Sequence, residues 1–167
     1  NCSQCHGAGA GGTVGYPNLL DNDWLWGGSL ESITYIINHG IRNTSDPDAQ
    51  FSEMPAFGEF LEEDDITSLT QFVTQLAQAK TKELNIDGNT LFVENCSGCH
   101  GQNATGNESL GAPDLTDAIW LYGADSSSVE KTITDGRFGV MPAWGQRLSE
   151  ADLRAVSIYV HALGGGE

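Results

Sequence analysis

Cys96-Ser97-Gly98-Cys99-His100 and Cys2-Ser3-Gln4-Cys5-His6 are the two stretches whose reading decides the fold. Each is a Cys-x-x-Cys-His run, the sequence form of a covalent c-type haem attachment site. On one turn of helix, residues three and four apart share a face. Both thiols and the imidazole can therefore meet one flat ring, the thiols bonding to its vinyl groups and the histidine ligating iron. The two runs use all four cysteines of the chain. A zinc site would need four converging ligands. Built from these two pairs, it would leave the histidine after each pair unexplained. A redox dithiol is the other alternative.

Outward from the two runs, the chain repeats itself. Cys96 stands 94 positions after Cys2 in a chain of 167 residues, which suggests two units of about 80 residues. The expected boundaries are 1–80 and 81–167. Glycine-rich loops follow both runs and lead to Gly15-Tyr16-Pro17-Asn18-Leu19 and Gly111-Ala112-Pro113-Asp114-Leu115. Next come Trp24-Leu25-Trp26-Gly27 and Trp120-Leu121-Tyr122-Gly123, then a helix ending at Gly40 or Gly136. Met54-Pro55-Ala56-Phe57 and Met141-Pro142-Ala143-Trp144 follow, and a last helix closes each half. Units this small bury little surface alone, and a haem would give each an apolar centre.

The class is all-α. Leu30, Ile33, Ile36 and Ile37 recur at helical spacing with Gly40 as the stop. Val129 and Ile133 follow a Ser127/Glu130 capping box and end at Gly136. Ile66, Leu69, Phe72, Val73 and Leu76 form a stripe behind Glu62-Glu63-Asp64-Asp65, acids that suit a helix N-terminus. Ser149 and Asp152 cap a final stripe of Leu153, Val156, Tyr159, Val160 and Leu163. No alternating strand pattern runs for any useful length. The link Ala77 to Gly88 is polar, and the tail Gly164 to Glu167 is expected to fray.

Met54 and Met141 are the only methionines, and each falls at the same place in its repeat. A thioether is a soft ligand for iron and raises its potential in a His/Met pair. Met54 and Met141 are therefore expected as sixth ligands, with a gap-filling core role as the alternative. Pro17 and Pro113 offer carbonyls that could orient His6 and His100. Arg42 and Arg137 follow the helix-ending glycines and could each pair with a haem propionate or lie in solvent. Trp24, Trp26, Trp120 and Tyr122 are expected as pocket walls. His39 is read foremost as a hydrogen-bond partner of a propionate or of a group near the iron. Ligation of the first iron and a plain helix-end role are its alternatives. His161 is read as structural.

With 23 acidic and 7 basic side chains the net charge is -16. That excludes nucleic acid and anionic membrane surfaces as partners. The acids are scattered, which suits general solubility, though an acidic docking face for a basic redox partner is the functional alternative. No run of 18 apolar residues offers a membrane span.

These marks together give the chain a resemblance. Tyr16-Pro17-Asn18-Leu19, Asp23-Trp24-Leu25-Trp26-Gly27-Gly28, Asn38-His39-Gly40 and both Met-Pro-Ala-aromatic segments resemble the diheme cytochrome c subunit (subunit III, CcoP or FixP) of cbb3-type cytochrome c oxidases. The resemblance implies two tandem class I cytochrome c-like domains, each around one covalent haem c. His6 with Met54 and His100 with Met141 would hold the two irons. It implies electron transfer from a donor cytochrome c towards the catalytic and monohaem cytochrome subunits of a terminal oxidase, with no catalysis by this subunit itself. The expected location is the periplasmic side of a bacterial inner membrane. Association with the membrane would come through a segment outside this chain, since Asn1 matches Asn95 and the first repeat lacks an opening helix. A free two-haem carrier of the c4 type is the first alternative. A diheme enzyme such as a peroxidase or thiosulfate dehydrogenase is the second. One departure stands out: thirteen residues separate Gly40 from Met54, against four between Gly136 and Met141. The insertion weakens the expectation for Met54 and would reshape the edge of the first haem.

Overall fold

A computed structural model describes residues 1–77 and 85–164. The elements are α1 (Ser3–His6), α2 (Leu30–His39), α3 (Glu63–Leu76), α4 (Ile86–Asn95), α5 (Ser97–His100), α6 (Ser126–Asp135) and α7 (Glu150–His161), with short 3-10 turns at Phe57–Glu59 and Glu108–Leu110. Among the described residues there is no strand, only isolated bridges. The all-α expectation holds. Most of the link, residues 78–84, and the end of the tail, 165–167, lie outside the described residues.

Helix starts follow from their caps. Ser29 accepts from the Ser32 N–H at the head of α2, and Ser149 accepts from Asp152 at the head of α7, as its sequence suggests. For α6 the cap is Asp125, whose carboxylate accepts from the Ser128 N–H at 3.0 Å. Ser127 is instead the first turn's second residue, because an Asp two positions earlier outcompetes it for the orphan amides. Asn85 caps α4, so that helix starts inside the stretch read as a link. Gly40 and Gly136 end α2 and α6 with φ of 74° and 69°, a left-handed conformation that favours glycine.

Two compact units result, and they do not coincide with the two halves of the sequence. One gathers Asn1–Ser52 with Phe138–Glu167; the other is Glu53–Arg137. Each half of the chain therefore gives its closing segment, from the Met-Pro run onward, to the other half's Cys-x-x-Cys-His unit. The sequence repeat does not reveal this, because both closing segments open on the same Met-Pro-Ala run and each methionine is held through main chain.

In the unit 53–137, α3 lies between α4 and α6. Ile66, Leu69, Phe72 and Val73 on α3 meet Phe92 on α4 and Val129 and Ile133 on α6. Gly88 lets α3 and α4 approach closely, since a Cβ there would lie 2.3 Å from the Ser68 carbonyl oxygen and 2.6 Å from Phe72 Cβ. The unit containing Asn1 is built on α2 against α7, with Ile33, Ile37, Ala143 and Ser157 buried.

Candidate haem sites

Each Cys-x-x-Cys-His run forms one short helix, α1 or α5. The loop that follows is built the same way twice. The Gly12 N–H donates to the His6 carbonyl and the Gly106 N–H to the His100 carbonyl, each at 2.9 Å. Leu19 donates to Ala10 and Leu115 to Ala104, each at 2.8 Å. The loop thereby brings a proline carbonyl to each ring. His6 Nδ1 lies 2.9 Å from the Pro17 oxygen, and His100 Nδ1 lies 3.1 Å from the Pro113 oxygen. With Nδ1–H donating, Nε2 is the deprotonated nitrogen, the form that binds metal. Burial lowers the His100 pKa, against the pull of its bond to Pro113, and so favours the neutral ring.

Cys5 and Cys96 are half-buried and Cys2 and Cys99 exposed. Burial pushes the Cys96 thiol up to about 11, with Cys99 adding to the shift.

The methionines are crossed. Met54 packs against the core of the unit that holds His100, as do Cys96, Leu115 and Trp120. Its backbone exchanges two hydrogen bonds with Arg137, at 3.3 and 3.1 Å. Met141 belongs to the unit that holds His6 and exchanges the equivalent pair with Ile41, at 2.9 and 3.0 Å. The pairs His6 with Met54 and His100 with Met141 are not the ones that the units bring together. The signal in the sequence was the loop of unequal length before each methionine, read there as an insertion. The longer one stays with the first unit up to Ser52: Gln50 donates to Gly40 and Arg42 to Gln50, closing it on the end of α2.

The remaining candidates have partners. Trp120 Nε1 donates to the Asp117 carbonyl at 3.2 Å while its ring joins the core. Tyr122 stacks under Arg137, 4.1 Å from ring centre to guanidinium, and Arg137 donates to Thr132 Oγ1. Arg42 donates to the Ser52 and Gly139 carbonyls and lies 5.8 Å over Trp26. Trp24 packs on Gly28, where a Cβ would fall 2.6 Å from the indole. His39 stacks on Tyr35, with Nδ1 3.1 Å from Asp46 and Nε2 2.8 Å from the Asn38 amide nitrogen. Asp46 is held below the ordinary carboxylate range, chiefly by the Asp48 N–H and also by His39. The sequence reading did not single out Asp46 as a partner for His39. Its place in an Asp-Pro-Asp turn seven residues on was the available signal.

A family model described as cytochrome c oxidase, cbb3-type, subunit III matches residues 1–73 and again 84–160. The chain belongs to that family. Subunit III relatives share much of its sequence. The cbb3-type cytochrome c oxidase subunit CcoP of Cereibacter sphaeroides is 55% identical over 170 residues, covering 100% of this chain and 59% of the relative. Subunit FixP of Azorhizobium caulinodans is 49% identical, over 100% of this chain and 57% of the relative. Subunit CcoP of Rhodobacter capsulatus is 49% identical, over 99% and 60%. The chain thus spans under two thirds of the length of these subunit III relatives. The double match agrees with two tandem cytochrome c-like repeats, and membership implies haem c. No helix among the described residues is long and apolar enough to cross a membrane.

Proposed function

We propose that this chain is the two-haem electron-carrying part of a cbb3-type oxidase subunit III, with one iron held by His6 and Met141 and the other by His100 and Met54. The observation that carries the reading is that each compact unit contains one Cys-x-x-Cys-His run and one methionine of the Met-Pro-Ala segment. Bound at these sites, haem iron supplies a one-electron couple.

The chain's own residues do the rest. The thiols of Cys2 and Cys5, and of Cys96 and Cys99, would hold the macrocycle. Pro17 and Pro113 hold each imidazole in the tautomer that leaves Nε2 for iron. The thioethers of Met54 and Met141 would hold the iron as soft ligands, which favours the reduced state and raises the potential. Trp120, Met54, Leu115 and Cys96 all pack against the same buried core, which would keep water from one site. Trp24 and Trp26 wall the other, and Arg42 and Arg137 stand at the helix ends as candidate propionate partners. Such a carrier passes electrons without a catalytic acid or base. A donor cytochrome c delivers them, and the catalytic and monohaem cytochrome subunits of the oxidase receive them, on the periplasmic side of the inner membrane. Membrane association comes through a segment outside this chain.

The test uses a background in which Cys2→Ser and Cys5→Ser leave only the second haem. In that background Met54→Ala is expected to open the ferrous iron to carbon monoxide, and Met141→Ala is not. The reverse result would restore the uncrossed ligand pairs. Absence of covalent haem from the unsubstituted chain would overturn the whole reading.

A further inference from the structure

The insertion between Gly40 and Met54 folds back on the end of α2 and brings three donor side chains to one place. His39 Nδ1 lies 3.2 and 3.1 Å from the two carboxylate oxygens of Asp46. One ligand atom each from His39, Asp46 and Asp48 falls within 4.8 Å of the others. The chain carries 23 acidic side chains, but among the described residues no other three His, Cys, Asp or Glu side chains converge in this way. The second repeat has no counterpart. Only four residues separate Gly136 from Met141 there, and Asp135, at the place of His39, pairs with Lys131 at 2.6 Å.

The group is ordered in a way that a solvated cluster of acids is not. The His39 side chain is 22% exposed and that of Asp46 is 12%. The Asp48 N–H donates to Asp46 Oδ1 at 2.9 Å, and the Tyr35 hydroxyl donates to the Asp48 carbonyl at 2.8 Å, which holds the Asp-Pro-Asp turn against the imidazole. Tyr35 also stacks on that ring. The Asp48 carboxylate itself has no hydrogen-bond or ion-pair partner among the described residues. His39 Nε2, turned away from the acids, meets the carboxamide of Asn38 at 2.8 Å. A metal-ligating histidine has its second ring nitrogen held by a polar group in this manner, and a carboxamide can present its oxygen to a ring N–H.

We propose that His39 Nδ1 and the carboxylates of Asp46 and Asp48 form a site for one divalent first-row transition cation, of zinc type, with water in the fourth position. Two donors that each stand about 2.1 Å from one zinc ion are about 3.4 Å apart in a tetrahedron, close to the separation of His39 Nδ1 from Asp46. The Asp48 side chain, exposed and without a partner, supplies the third donor by rotation. The imidazole selects against calcium and magnesium, which take oxygen ligands. The ion replaces the proton on Nδ1, which leaves to solvent, while Nε2 keeps its own and donates it to Asn38. The site needs neither haem. It does close the segment that holds Met141, because Asn43 Nδ2 donates to the carbonyls of both His39 and Met141, at 2.9 and 3.3 Å.

The test is calorimetric titration of the chelator-treated, haem-loaded chain with zinc chloride at physiological ionic strength, where diffuse attraction to the scattered acids is screened. One equivalent is expected to bind, and excess calcium is not expected to compete. His39→Gln and, separately, Asp48→Asn are each expected to weaken that binding at least about tenfold. Thermal unfolding shows whether each variant is folded, and the exposed Asp48→Asn decides the matter if His39→Gln is not. X-ray absorption at the zinc edge is expected to show an imidazole in a shell of oxygen donors. Zinc binding that survives both substitutions, or that calcium displaces, overturns the proposal and assigns the ion to acids elsewhere on the surface. Absence of saturable zinc binding overturns it outright.

Discussion

Gly136 stands so close to Met54 that a Cβ on the glycine would lie 2.3 Å from the methionine's carbonyl oxygen, and Gly40 repeats the same approach to Met141 at 2.3 Å. Each glycine ends a helix, turns the chain into the left-handed region, and lets the next residue pair with the methionine backbone. The thioether is thus set by a main-chain bridge whose partner comes from the other repeat.

Gly136→Ala is accordingly expected to be costly twice over, by strain at φ 69° and by collision with backbone that cannot rotate aside. A loss of about 1–3 kcal/mol is expected, with the ferric Met–iron charge-transfer band weakened at the His100 haem alone. Gly40→Ala should weaken the band of the other haem. Equal loss at both haems from either variant would mean that the glycines act only through global stability.

Truncating Phe92 removes the ring that fills the α3–α4 seam. Phe92→Ala is expected to cost about 3–5 kcal/mol, read as a lower denaturant midpoint. Gly88→Leu should do comparable harm by wedging α3 from α4, although it adds apolar surface. A Gly88→Leu variant of ordinary stability would show that the two helices are not closely seated.

The cap of α6 gives a pH signature. Ser127, Ser128 and the Ser128 N–H together hold the Asp125 carboxyl down to about 2, against 3.8 for an ordinary Asp. A depressed folded pKa means that the contribution to stability is complete above pH 3.8 and is lost as pH falls through about 2. Asp125→Ala is therefore expected to lower the thermal midpoint at pH 7, and the gap between variant and parent should close as pH falls towards 2. A gap independent of pH would mean that the cap acts through shape rather than charge.

A net charge of -16 predicts that electron delivery from a basic donor is steered. Stopped-flow reduction is expected to slow by about tenfold or more between low and physiological ionic strength. A flat salt response would make the acids a matter of solubility only.

Much of this site is legible in the chain itself. Cys-x-x-Cys-His dictates a one-turn helix, Pro17 and Pro113 sit where a loop can return a carbonyl to the ring, and the Ser149–Asp152 cap reads correctly. The choice of Asp125 over Ser127 turned on geometry two residues upstream, where a carboxylate reaches the Ser128 amide and the Ser127 hydroxyl donates to it. The crossing of Met54 and Met141 was hidden for a deeper reason. What Ile41 and Arg137 offer the incoming methionine is main chain, and main chain carries no label for one repeat over the other. His39 likewise reads as free for a haem until Asp46 is folded beside it.

The exchanged closing segments bear on how such a gene can change. In most duplicated proteins one copy can be deleted, transplanted or left to decay while the other survives. Here a gene reduced to its first repeat would encode part of each unit and the whole of neither, because residues 53–76 belong to the unit that holds the other repeat's Cys-x-x-Cys-His run. The two copies are inherited as a single unit of selection, and a substitution in one is judged by its fit to the other.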